Sequence, residues 1–129
     1  MNHNVTLRIT SLLSIIFLGF HLSDDIARGF EPGGLSNFNG ILILTVWLYG
    51  TLVLGDRRSG HVIMLLGAIL GSGVPAFHMT GKGLVGGRIA GSSGIFFWVW
   101  TLIAGGTTAL VSLVLSARGL WRLQWAERR

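Results

Sequence analysis

The stretch His21-Leu22-Ser23-Asp24-Asp25-Ile26-Ala27-Arg28 concentrates four ionisable residues within about two helical turns. Residues three and four apart share a helix face, so this spacing sets His21 over Asp24 and Asp25 and lets both carboxylates reach Arg28. A second histidine, His78, follows the proline in Gly71-Ser72-Gly73-Val74-Pro75-Ala76-Phe77-His78. Two imidazoles with a carboxylate form a ligand set suited to zinc or non-haem iron, which makes His21, Asp25 and His78 the candidate metal ligands. Without a metal, His21, Asp24, Asp25 and His78 are catalytic candidates, an imidazole shuttling a proton while a carboxylate fixes its tautomer. Haem gripped by the two histidines fits less well, because it needs an apolar slot and the aspartates stand beside it. Two plainer readings compete: the charged turn orients and caps its helix, and His78 bonds a neighbouring carbonyl.

Desolvation determines which elements hold these groups. Half of the 129 residues are hydrophobic, only 12% are charged and the mean hydropathy is +0.65. A soluble domain has roughly 25% charged residues. No Asp, Glu, Lys or Arg stands between Arg8 and Asp24, Glu31 and Asp56, Arg58 and Lys82, or Arg88 and Arg118. The last three intervals exceed the roughly 20 apolar residues that cross a hydrocarbon core, and the first needs help from its flanks. Backbone amides in hydrocarbon must bond within their own segment, and four long spans are too few for a barrel, so the segments are helices. The reading is all-α: a single-domain integral membrane four-helix bundle over residues 1–129, with helices near 5–29, 38–55, 61–80 and 93–124. The apolar run after Arg8 is expected to remain as a span, since no Ala-x-Ala-like cleavage site follows Leu22.

Positive charge suggests the orientation. Arg8, Arg57, Arg58, Arg118, Arg122, Arg128 and Arg129 fall on one side and only Arg28, Lys82 and Arg88 on the other. The positive-inside rule then places the N and C termini in the cytoplasm, in the inner (plasma) membrane. The connectors at Glu31-Pro32-Gly33-Gly34 and Gly55-Asp56-Arg57-Arg58-Ser59-Gly60 are short turns, while the glycine-rich one from Gly81 to Ser93 is expected to be the mobile one. In the tail Leu120-Trp121-Arg122-Leu123-Gln124-Trp125, indoles alternate with polar groups as in an interfacial belt.

Starting the count at Arg8, residues 21 to 25 sit at or just inside the outer boundary, where charges turn away from lipid. A stripe from His21 through Phe17, Ser14, Thr10 and Thr6 marks the expected inward face of the first helix. Gly67 and Gly71, on the face of His78, allow close approach of another helix, and Pro75 removes a backbone hydrogen bond between them and His78. Gly94, Trp98, Thr101, Gly105, Thr108, Ser112 and Ser116 form a matching packing stripe on the fourth helix. Arg28, Gly67, Gly71, Pro75 and Gly105 are therefore assigned structural roles.

Several functions drop out. The absence of cysteine removes disulfide, thiolate-metal and thiol redox chemistry. The net charge of +5 sits beside apolar spans, which points to membrane lipids and not to nucleic acid. Gly81-Lys82-Gly83-Leu84-Val85-Gly86 matches a dinucleotide pattern but has no preceding strand, and Asn4-Val5-Thr6 lies on the expected cytoplasmic side, unsuited to glycosylation. His3 and His61 fall at the inner face, away from the charged turn.

The small-residue faces make a non-catalytic subunit or assembly factor the first functional expectation, packing as a homo-oligomer or within a larger membrane complex. The alternative is a metal-binding, ligand-binding or enzymatic site near the outer face, built from His21, Asp24, Asp25 and His78. Proton or ion translocation ranks third, because no charged residue lies at mid-depth in the later helices.

Overall fold

The computed structural model describes residues 2–31, 33–81 and 91–126. It is all-α, with helices α1 (His3–Ala27), α2 (Phe38–Leu52), α3 (Arg58–Gly81) and α4 (Ile95–Ala126), and a 3-10 turn at Leu35–Asn37 leading into α2. Each helix, α2 with its leading turn, is long and apolar enough to cross a membrane. Four such helices are consistent with a multi-pass membrane protein.

The helix ends are set by local chemistry. Asn2 caps α1 by accepting from the Asn4 amide at 3.2 Å, which starts the helix two residues earlier than the sequence suggested. Gly29, at φ +70°, ends it two residues sooner. Helix α2 stops at Leu52, three residues short of expectation, and Arg57 then closes a turn by donating its amide to the Leu54 carbonyl. Helix α3 starts at Arg58, since charged residues do not oppose a first turn whose amides face water. Gly94, at φ +74°, delays α4 to Ile95. Residues 82–90, which carry Lys82, Arg88 and the glycine motif of the third connector, lie outside the described residues, as do Arg128 and Arg129.

Helix α4 packs closely on both α1 and α3, while α2 meets α1 and α3 more sparsely and has no close backbone approach to α4. The core is small: Leu7, Leu18, Trp47, Met64, Ala68 and Ala109. Large apolar side chains such as Ile9, Leu42, Leu66, Leu110 and Val114 point outward, as they should where the surrounding solvent is hydrocarbon.

The buried face of α1 is Leu7, Ser11, Ser14, Leu18, His21 and Asp25, one residue out of step with the sequence reading at three positions. Thr6, Thr10 and Phe17 flank it, Phe17 edge-on to Trp100. Counting back from His21 by threes and fours permits both stripes, and helix–helix contact selects between them. Ser11 meets Ser112 at 2.7 Å and Ser14 donates to Thr108 at 3.0 Å, hydrogen bonds that hold α1 against α4.

The glycines serve close internal packing. A methyl group on Gly67 would strike the indole of Trp47, and one on Gly71 would come within 2.9 Å of Leu18 and 3.1 Å of Trp47. Gly105 seats Leu18 and Gly106 seats the Pro75 ring. At the opposite end, Arg8 pairs with Asp56 at 2.7 Å, an exposed bridge worth under about 1 kcal/mol. His61 and His3 approach each other across Gly119 there.

Candidate functional site

At the end of the bundle where α1 finishes and α4 begins, three helices aim polar groups at one point. His21 and Asp25 lie one turn apart on the buried face of α1, and His78 enters from the last turn of α3. His21 Nε2 and His78 Nε2 are 3.3 Å apart. Asp25 Oδ2 is 3.6 Å from the first and 3.7 Å from the second. A triangle with those sides has a circumradius of about 2.0 Å, the length of a zinc–nitrogen or zinc–oxygen bond. His21 and Asp25 are buried and His78 half-buried.

A further set of contacts orients each of the three. His78 Nδ1 lies 2.9 Å from the Val74 carbonyl, which can only accept, so Nδ1 carries a proton and, in the neutral ring, Nε2 keeps its lone pair. Thr101 donates its hydroxyl to the Phe97 carbonyl at 2.9 Å, leaving Oγ1 to accept from His21 Nδ1 at 3.4 Å. Trp98 donates its indole N–H to Asp25 Oδ1 at 2.6 Å and turns Oδ2 toward the histidines. With both rings neutral and protonated on Nδ1, three acceptors face one another. The Trp98 ring also backs both imidazoles, its centroid 4.9 Å from His21 and 5.3 Å from His78.

Asp24 does not join this group. It lies about 100° around the helix from Asp25 and holds Arg28 Nε at 2.7 Å. Arg28 Nη1 reaches on to the Ser92 hydroxyl at 3.0 Å and the Ser93 carbonyl at 2.7 Å. That guanidinium ties the end of α1 to the start of α4, and Asp24 serves the tie. The sequence expectation of four ionisable groups on one face thus separates into an inward pair, His21 and Asp25, and a half-buried pair, Asp24 and Arg28, turned toward the start of α4.

Two partners were not assigned to the site from sequence. Trp98 and Thr101 belong to the α4 stripe that the sequence reads as packing, although their positions about one and two turns from Gly94 put them at the depth of His21. Trp47 was not singled out at all. It forms a wall of an apolar cavity of about 260 Å³ that begins at His21, Asp25 and His78 and runs between α1, α2 and α3. Comparison with protein-family profiles, curated proteins and solved structures finds no match to this chain.

Proposed function

We propose that the protein binds one divalent transition-metal ion, zinc or iron(II), through His21 Nε2, His78 Nε2 and Asp25 Oδ2 at the outer end of its membrane bundle. The observation that carries this reading is the all-acceptor triangle, whose centre is about one metal–ligand bond from every corner. Three converging lone pairs repel unless a cation stands between them. A bridging proton would draw two of the atoms to roughly 2.7–2.9 Å and leave the third aside. Three similar separations suit a central ion better.

The surrounding contacts support the same conclusion. Metal-bound histidines usually donate their other ring N–H to a carbonyl, carboxylate or water, and ligating carboxylates are themselves hydrogen-bonded. Val74, Thr101 and Trp98 supply those partners here. Three protein ligands beside a cavity leave a coordination position open, the arrangement of reactive zinc sites and of two-histidine, one-carboxylate iron sites. Haem does not fit: axial nitrogens on opposite sides of an iron stand about 4 Å apart, not 3.3 Å.

The subunit reading rests on glycine faces, and Gly67, Gly71, Gly105 and Gly106 already seat side chains of this chain. Proton passage along α1 and α4 is disfavoured by Leu18, which packs on Gly105 between the Ser14–Thr108 and His21–Thr101 contacts. The arginine distribution supports cytoplasmic termini in the inner membrane, with the metal end toward the outer leaflet. Elemental analysis of the detergent-purified protein tests the proposal. About one zinc or iron per chain is expected, falling to background in His21→Ala and Asp25→Ala while helical circular dichroism is unchanged. No stoichiometric metal, and none taken up from added Zn²⁺, Fe²⁺ or Co²⁺, would overturn it.

A further inference from the structure

The cavity beside the triangle has one polar end. His21, Asp25, His78 and Glu31 stand there, and the rest of the wall is apolar side chains and glycine backbone from α1, α2 and α3. Helix α4 contributes nothing to its lining, because Trp98 closes the site from that side. Ile43 of α2 and Leu70 of α3, 42% and 53% exposed on the surface that meets the acyl chains, stand at its margin. Its volume of about 260 Å³ accommodates about nine water-sized groups at roughly 30 Å³ each.

We infer that this cavity seats a lipid-soluble molecule bearing one uncharged donor head, the head completing the coordination of the ion and the apolar body lying along Leu18, Leu44, Trp47 and Leu70. The inference rests on the metal reading above. The lining matches an acyl, prenyl or similar apolar body, and the position of Ile43 and Leu70 gives entry from the bilayer instead of from water. Charge selects the head. Asp25 and Glu31 together offset a divalent ion, so an anionic head would bring an unbalanced charge into hydrocarbon, whereas a neutral oxygen or nitrogen donor would not.

The test uses the Co²⁺-loaded full chain in lipid nanodiscs, with 1-hexylimidazole as the neutral probe and hexanoate and imidazole as comparisons. Visible Co²⁺ absorption bands should shift on adding 1-hexylimidazole, with hexanoate and imidazole each at least about tenfold weaker. In Ile43→Trp and, independently, Leu70→Trp, the unliganded bands should persist while the 1-hexylimidazole response weakens by at least about tenfold. Intact Co²⁺ bands with equal responses in both variants and the parent would overturn the cavity inference and leave the metal site standing. Absence of Co²⁺ bands in the parent would overturn both.

Discussion

Trp98 donates to Asp25 across the α1–α4 interface at 2.6 Å, and that one bond fixes which carboxylate oxygen faces the histidines. The indole is almost fully buried, so no water competes for the carboxylate. A donor on α4 thereby determines the geometry of a carboxylate on α1.

Replacing Trp98 by Phe keeps an aromatic ring behind the imidazoles but removes the donor. Metal affinity should fall by roughly ten- to a hundredfold, the usual effect of losing a partner of a ligating group. Competition with a chromophoric chelator measures this, and an unchanged affinity would show that Asp25 needs no such anchor.

Asp24 and Asp25 should separate cleanly despite their adjacency. Asp25→Asn is expected to reduce bound metal to background, whereas Asp24→Asn should retain it and lose about 1 kcal/mol or less of stability through the weakened Arg28 tie. Metal content and thermal midpoint on both variants decide it; equal metal loss would place Asp24 in the site.

Gly71→Leu should destabilise the bundle by about 1–3 kcal/mol, since the new side chain enters space held by Leu18 and the Trp47 ring. A lowered midpoint in SDS or thermal unfolding is the readout. An unchanged midpoint would mean that α2 yields freely at this contact.

Orientation is testable because the chain has no cysteine of its own. A membrane-impermeant maleimide on intact cells should label Ser36→Cys, and should label Ser59→Cys only after the membrane is opened. The reverse pattern would invert the topology and place the His21–His78 end toward the cytoplasm.

Much of this architecture is legible in the chain because hydrocarbon punishes exposed amides and stray charge so strongly. The four charge-free intervals therefore locate the four helices, and the alternation of spans puts His21 and His78 on the same side of the membrane. The inner face of α1 is less legible, since Ser, Thr and Leu interleave and helical counting admits Thr10 as readily as Ser11. Only the meeting of Ser11 with Ser112 distinguishes them. Trp98 and Thr101 escaped as site partners for a related reason: an indole or a hydroxyl on a small-residue stripe carries no mark of what lies opposite. The parting of Asp24 from Asp25 depends on Arg28 finding Ser92 and Ser93, a contact across the third connector that local spacing does not encode.

Helix α2 gives no atom to the triangle, yet it forms one whole side of the cavity. The bundle therefore divides its labour: α1, α3 and α4 make a fixed socket, and α2 is a replaceable door panel. If the cavity takes a guest as proposed, mutation along that panel would change which guest is admitted and leave the socket as it was, so the cargo would vary without the converging groups being rebuilt.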